Sequence, residues 1–548
     1  MMTLLRASIA MAAVSACACA QSIKLDGSTA RGGAKNKEGD CVYLTAAMGT
    51  TEEIRWEFAE LLAAGAWRLT INFNGKVGGA KGQNIGFIAD RTPVIDCNVN
   101  TDEPQSFVLL SATPAKGLFY RKTYQVNQDT VGIRSIVIEK IETPLPSDRW
   151  CLDCQVVDGT VSLPWPIAPG SVKTTAKSPV TLTWSSAGGK FETPSATQTY
   201  AYCKNPVERL AVVGKVDGII IERVPAIPVP DMPVTNKELI TVVDNARPET
   251  RTLTLVGARD GTPTLAIFPS GRKHAIFTTW DDGSSMDFTV AGMLKKHGFR
   301  GTFLVNRGSE ANQRLQELEA LGMEVGSHSW SHPSYYLSGY DRCYAESANM
   351  RKFLEGILGH PVISFAYPYG YQPAYDETGE YVTRSVEASG YWFARSTANG
   401  PNSIDGINQP LALSPDFHFN AGAAAISARF AELTTKEGVV FEVWGHSVEL
   451  AGNGAATLEA VLAAIGGKPD VWYATGGDVF VWRWMRLNTR IADGVKDATG
   501  MTFTVTRPWL HPYLRTVPFA VKVPDGVTEV IRKGEKRPVT GGHVDLTW

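Results

Sequence analysis

Along residues 22–160 the apolar positions come in short, often alternating runs: Trp67-Arg-Leu-Thr-Ile-Asn-Phe, Ile85-Gly-Phe-Ile, Ser106-Phe-Val-Leu-Leu and Ile133-Arg-Ser-Ile-Val-Ile. Gly, Asn, Asp and Pro punctuate them at regular intervals, which predicts a β-sandwich-like region. Thr51 to Ala64 stands out as helical, with Thr50 or Thr51 as N-cap and acidic residues in its first turn. Strand-like pieces continue through Val180-Thr-Leu-Thr-Trp and Gly218-Ile-Ile-Ile, until the proline-rich stretch Pro225 to Pro233 reads as an extended linker. After residue 270 the period changes. Strand-like runs at Ala275–Thr279, Gly301–Val305, Met323–Gly326, Ile363–Ala366 and Val439–Trp444 alternate with helical segments at Asp287–His297, Asn312–Leu321, Asp341–Leu358, Ala421–Lys436 and Ala455–Ile465. Repeated strand–helix units imply parallel strands, and seven or eight such units suggest a barrel whose site lies just after the strands. The tail beyond Thr504 returns to short β-like pieces with prolines, expected to pack back on the barrel.

A chain of 548 residues exceeds one ordinary core, so several domains are expected. The pattern divides it into residues 1–20, 21–160, 161–265, 266–485 and 486–548. The composition, 44% hydrophobic and 20% charged, is that of a folded protein, and a formal net charge of −2 gives no electrostatic reason to expect nucleic acid or an anionic membrane as a partner. The first twenty residues read as an export signal. Arg6 precedes a short apolar stretch from Ala7 to Val14, and Ala18-Cys19-Ala20 gives a small-x-small cleavage pattern. Val14-Ser15-Ala16-Cys17 also resembles a lipobox, which leaves a lipid anchor at Cys17 as the alternative. No run is apolar and long enough to span a bilayer. The expected location is therefore the periplasm, cell surface or exterior of a bacterium. Six further cysteines, Cys41, Cys97, Cys151, Cys154, Cys203 and Cys343, are compatible with disulfides whose pairing the sequence leaves open. Cys151-Leu-Asp-Cys154 has redox spacing without a redox setting, and reads as structural.

Chemistry concentrates in the repeating region. In His328-Ser-Trp-Ser-His332 two imidazoles stand four residues apart, a spacing at which one helical turn would point both to the same side, as two ligands of one metal require. Thr279-Trp280-Asp281-Asp282-Gly283 ends the first strand of the same region. Two adjacent carboxylates repel unless a cation or donors compensate, so one Asp completing a His2Asp triad accounts for them, and the other is free to take a proton from water. Zinc is the default for such a mixed N/O set; cobalt, nickel or manganese fit equally.

These residues resemble polysaccharide deacetylases of carbohydrate esterase family 4, the NodB-homology fold, over roughly residues 270–480. Asp281-Asp282 and the whole of His328 to His332 carry the likeness. It implies Asp281 as catalytic base and Asp282, His328 and His332 as ligands of one divalent metal. A third motif, R-x-P-Y-G, is matched by Ala366-Tyr367-Pro368-Tyr369-Gly370, where Ala366 stands in place of the arginine. The resemblance gives the Tyr369 backbone N–H an oxyanion-binding role. The absent arginine would leave Asp281 with a raised pKa unless another cation replaces it, and Arg395 is the candidate. Trp392 stands where the family places an aromatic wall, and Trp444-Gly445-His446 loosely matches the last motif, giving His446 the general-acid role. The resemblance implies a distorted (β/α)7–8 barrel that removes N- or O-acetyl groups from a polysaccharide or oligosaccharide. The β-rich N-terminal region would be an accessory carbohydrate-binding module, with Trp56, Trp67 and Tyr120 as aromatics that are exposed in a binding role or buried in a core. The competing reading is a non-catalytic exported glycan binder on a retired scaffold, supported by the lost arginine alone.

Overall fold

The computed structural model describes residues 22–548 apart from 36–38, 40, 45–50, 75–82, 97–102, 124–130, 146–147, 224–231, 233–237, 259, 399, 493 and 497. The expected export signal, Cys17, Cys97 and nearly all of the proline-rich stretch thus fall outside the described residues. The chain divides into two compact units, Met1–Thr199 with Cys203–Pro225, and Tyr200–Tyr202 with Ala226–Trp548. No helix among the described residues is long and apolar enough to cross a membrane.

Among the described residues the first unit is all β. A long sheet runs through Val131–Ile141, Gly65–Asn74, Gln105–Ser111 and Arg149–Val157, and a four-stranded sheet holds Thr51–Leu62, Ala115–Thr123, Gln83–Ile88 and Val94–Asp96. Alternate residues of the two sheets share one core: Trp67, Leu69 and Ile71 from the first meet Ile54, Trp56 and Tyr120 from the second. Trp56, Trp67 and Tyr120 are all buried, so they build this core and offer no exposed platform for sugar. The segment predicted as a helix from Thr51 to Ala64 is instead a strand over Thr51–Leu62, paired antiparallel with Ala115–Thr123. Its period-two set Ile54, Trp56 and Phe58 packs on the core, and that burial overrides the helix propensity of its Glu, Ala and Leu residues. Cys151 and Cys154 are buried thiols on one strand, and burial pushes Cys154 up to about 12, which makes both poor nucleophiles.

The second unit is built on a nine-stranded sheet that alternates with helices. Its strands are β1 (His274–Asp282), β2 (Gly301–Val305), β3 (Glu324–Ser327), β4 (Ser364–Ala366), β5 (Phe393–Arg395), β6 (Phe417–His418), β7 (Val439–His446) and β8 (Val471–Tyr473), all parallel, with Asn402–Ser403 antiparallel to β7. The order β5-β4-β3-β2-β1-β7 is continuous, with β6 beside β7 and β8 beside the start of β1. Arg395 of β5 also bridges Leu413 in parallel, so the segment from Leu413 to β6 links the two margins of the sheet.

Helices α1 (Asp287–Lys296), α2 (Leu315–Ala320), α3 (Tyr340–Leu358), α4 (Val382–Ala388), α5 (Gly422–Leu433), α6 (Gly454–Ile465) and α7 (Gly476–Asn488) fill the connections. In α1 the apolar set Val290, Ala291 and Leu294 is buried in the core it shares with Phe303 and Ile276 of the sheet. Gly298, at φ +74°, ends that turn of chain as its position predicts. Helix α7 opens on a capping box in which Thr475 accepts from the Asp478 N–H. A second sheet of the same unit pairs Val243–Val256, upstream of the nine strands, with Gly500–Leu510 downstream.

Candidate active site

The register of β1 and its neighbours sets the chemistry. Asp281 and Asp282 are the last residues of β1; across the sheet Asp281 stands opposite His446 at the end of β7, and Asp282 opposite Val305 at the end of β2. His328 follows β3 immediately and is fixed by its N–H donating to Val305 O at 2.8 Å. All these groups therefore collect at the C-terminal edge of the parallel strands, where side chains leave the sheet for the loops.

Asp282, His328 and His332 converge. Asp282 Oδ1 lies 3.2 Å from His332 Nε2 and 3.5 Å from His328 Nε2, and the two Nε2 atoms are 3.1 Å apart. His328 Nδ1 donates to Ala366 O at 3.0 Å, which leaves the Nε2 lone pair facing the cluster. Burial holds His328 down to about 4, against the pull of Asp281, so the ring is neutral near pH 7. Burial alone would raise Asp282, but the hydrogen bond with His332 and the neighbouring imidazoles bring it to about 2. A carboxylate and two imidazole nitrogens aimed at one point form the donor set of a divalent cation, and the residues fit one.

The histidines do not meet through a helical turn. Residues 328–332 form a bend in which Ser329 and His332 adopt left-handed φ of +69° and +59°. Ser329 Oγ accepts from His332 N–H at 3.0 Å, and the buried Glu346 of α3 accepts from both Ser331 N–H (2.7 Å) and Ser331 Oγ (2.6 Å) while pairing with Arg342. Asp282 (φ +73°) and Tyr369 (φ +61°) are strained in the same way. Four non-glycine residues in a disfavoured region around one point mark a place where the surrounding structure dictates the backbone. Replacing Glu346 by Gln is expected to weaken zinc binding by the triad about 10–100-fold, since the loop that aims His332 loses its anchor; a zinc affinity equal to wild type in competition with a chromogenic chelator would refute this role.

Asp281 is buried, with Arg395 Nη2 on both its carboxylate oxygens. Arg395 is itself fully buried and stands in register with Ala366 on the adjacent strand, one strand over from the position where the motif arginine is absent. Burial would raise Asp281; the Arg395 charge, helped by His328, overrides it and holds the carboxyl below its ordinary value. Beneath the guanidinium, Glu442 Oε1 lies 3.6 Å from Arg395 Nε and accepts from Thr279 Oγ1 at 2.8 Å. Burial pushes Glu442 up to about 8 and its neighbour Asp416 up to about 7. Mostly protonated at neutral pH, Glu442 leaves the arginine's charge to Asp281.

His446 completes the ring of groups, its Nε2 3.9 Å from Asp282 Oδ2. Burial lowers the imidazole, but Glu449, with Asp281 and Asp282, outweighs that and raises it above its ordinary value. Tyr369 sits in a turn with Pro368 before it and Gly370 N–H donating to Tyr367 O at 2.9 Å, and its ring meets His332 edge to face at 4.7 Å. Trp392 is not part of this group. It precedes β5, whose far end carries Arg395, and it stacks on Trp484 of α7 at 5.6 Å. A three-residue strand carries the chain from one edge of the sheet to the other, and besides Tyr369 the ring of Trp444 accompanies the site, 4.6 Å from the Arg395 guanidinium. Glu346, Glu442, Glu449 and His418 belong to the site's surroundings and were missing from the motif reading.

Residues 269–389 match the family model described as polysaccharide deacetylase. The match includes the triad, Asp281 and Tyr369 and ends before Arg395 and His446. A peptidoglycan-N-acetylglucosamine deacetylase, PgdA of Listeria monocytogenes serotype 1/2a (strain 10403S), is 35% identical over 101 residues, 17% of this chain and 21% of that protein. The chain thus spans about a fifth of the length of the curated relatives it matches. Among solved structures, the family 4 carbohydrate esterase from Streptomyces lividans in complex with acetate is 19% identical, covering 36% of this chain and 90% of that one, with a TM-score of 0.27. Peptidoglycan deacetylase PdaC from Bacillus subtilis is 18% identical, covering 39% and 94%, also at 0.27.

Proposed function

We propose, from the premise that this chain carries a polysaccharide deacetylase domain of carbohydrate esterase family 4, that it is an exported, metal-dependent hydrolase of acetyl groups on a polysaccharide or oligosaccharide. The nine-stranded sheet with its bridged margins is then a distorted (β/α)7–8 barrel of the NodB-homology type. The observation that carries the reading is the arrangement around the triad: a buried carboxylate held by a guanidinium on one side, an imidazole with a raised pKa on the other.

Asp282, His328 and His332 would hold the cation, zinc by default. When bound, such an ion would supply Lewis-acid polarisation of the acetyl carbonyl and of water. Asp281, kept ionised by Arg395, takes a proton from water as its oxygen adds to the acetyl carbon. The Tyr369 backbone N–H donates to the oxyanion that forms. His446, whose pKa the neighbouring carboxylates raise, passes its Nε2 proton to the departing nitrogen or oxygen as the C–N or C–O bond breaks, which yields acetate and the deacetylated sugar.

The named relative acts on peptidoglycan N-acetylglucosamine, so an N-acetylated glycan is the first substrate to test. Acetate release from N-acetylglucosamine oligomers, peptidoglycan fragments and acetylated xylan is expected to stop with chelator and to return with added zinc. Release that ignored the chelator would sink the mechanism, and silence of metal-replete protein on every substrate would favour a glycan binder.

A further inference from the structure

Beside the triad lies a second cluster, His418, Glu449 and His446, of which only His446 belongs to a recognised motif. Glu449 sits in the short turn Ser447–Leu450 that follows β7. Its Oε2 accepts from the His446 backbone N–H at 3.0 Å, and its Oε1 faces His446 Nδ1 at 3.3 Å. His418, on β6, reaches the same carboxylate from the other side, its Nε2 3.0 Å from Oε2.

The tautomer of His418 is set by its neighbours. His418 Nδ1 accepts from the Asn420 backbone N–H at 3.2 Å, so the ring proton of neutral His418 lies on Nε2 and is donated to Glu449. The ring is also fixed sterically, edge-on to Trp444 at 4.6 Å and stacked on Phe419 at 5.2 Å. With both oxygens of Glu449 engaged, its carboxylate cannot turn without breaking a bond, and Oε1 stays on His446 Nδ1. The same trio is compact enough to surround a cation, but a His418 whose Nε2 is a donor offers no lone pair to one.

We infer that His418 is a positioning residue for the general acid, acting on His446 through Glu449. The inference rests on the reading of His446 as that acid. Without His418 one carboxylate oxygen keeps only a backbone N–H, the carboxylate is free to rotate, and the imidazole loses the partner that aims its Nε2 at the leaving group. Misplacement of a reacting group by an ångström or so costs about tenfold to a hundredfold in rate.

The test uses leaving groups. Cleavage of an acetylated monosaccharide or an N-acetylglucosamine oligomer needs a proton on the departing atom, whereas 4-nitrophenyl acetate expels a stable phenolate without one. In metal-replete full-length protein, His418→Ala is expected to lower kcat on the sugar substrates about tenfold, with KM moved by less than about twofold and 4-nitrophenyl acetate hydrolysis retained. His418→Gln, whose side-chain amide still donates to Glu449, is expected to recover most of the loss. Equal losses on sugar and nitrophenyl substrates, or no loss on either, would overturn the inference. So would a second zinc ion per chain that disappears in His418→Ala, which would make the trio a metal site instead. His446→Ala separates the two levels: if it shows no leaving-group dependence, the acid assignment itself fails; if it does while His418→Ala does not, only the role of His418 fails.

Discussion

Asp281→Asn is expected to lower kcat for acetate release by about 10²–10⁴-fold with KM nearly unchanged. The substitution keeps the side chain's shape and removes the proton-accepting charge, and with it the charge partner of buried Arg395. Asp281 is 4% exposed and held ionised by Arg395, so water reaching the acetyl carbon meets a base that is charged near neutral pH. Asn cannot take that proton, and no other group within the cluster is placed to do so without giving up another task. Asp282 faces the imidazoles of His328 and His332 as a proposed metal ligand, and in the proposed mechanism His446 must carry a proton to act as the acid. Zinc content measured on the same sample is expected to remain at the wild-type level, because Asp281 Oδ2 lies 4.0 Å from His328 Nε2, farther than Asp282 does. A variant that kept its zinc and turned over within about threefold of wild type would remove Asp281 from the mechanism.

The parts of this site that the sequence discloses are those whose members lie close along the chain. Asp281 and Asp282 are neighbours, and His328 and His332 share one loop, so their convergence leaves a short motif. The shape of that loop was not legible: left-handed φ at Ser329 and His332 depends on Glu346, which comes from α3 and reaches back to Ser331. Glu442, Glu449 and His418 escaped for a related reason. Each matters through a partner on another strand, and a lone Glu or His at a strand end has no periodic signature. Arg395 was legible because strand order alone places the end of β5 beside the end of β4. Trp392, three residues earlier, stacks on Trp484 apart from this group, because the short strand Phe393–Arg395 lies between it and the end that carries Arg395. In the first unit, Thr51-Glu-Glu mimicked a capped helix start, while the alternation Ile54, Trp56, Phe58 carried the correct answer. Helix α7 hid behind Gly476-Gly477, although Thr475 and Asp478 spelled out its capping box.

Arg395→Ala is expected to act on both pH dependence and stability. As the proposed base Asp281 must be deprotonated, and its carboxyl is held below the ordinary value of 3.8 because the arginine outweighs burial. Without the guanidinium, burial dominates and the pKa rises. The acid limb of the pH–rate profile should therefore move upward, by about 1–3 units, while the alkaline limb stays in place. Stability follows the same linkage. A depressed carboxyl stabilises the fold at pH values above its unfolded pKa, and that contribution is lost as pH falls through the folded one. The variant should accordingly be less stable than wild type at neutral pH, by about 3–5 kcal/mol for a buried charge left without its partner, and the gap should narrow in acid. Ala366 offers the rescue. It is buried, in register with Arg395, and on the strand whose carbonyl receives His328 Nδ1. Ala366→Arg in the Arg395→Ala background returns a guanidinium to the base from the neighbouring strand, into volume that the first substitution vacates. If charge beside Asp281 is what matters, the double variant regains the wild-type acid limb. An Arg395→Ala profile identical to wild type would show instead that the ion pair is structural, with the base tuned by other groups.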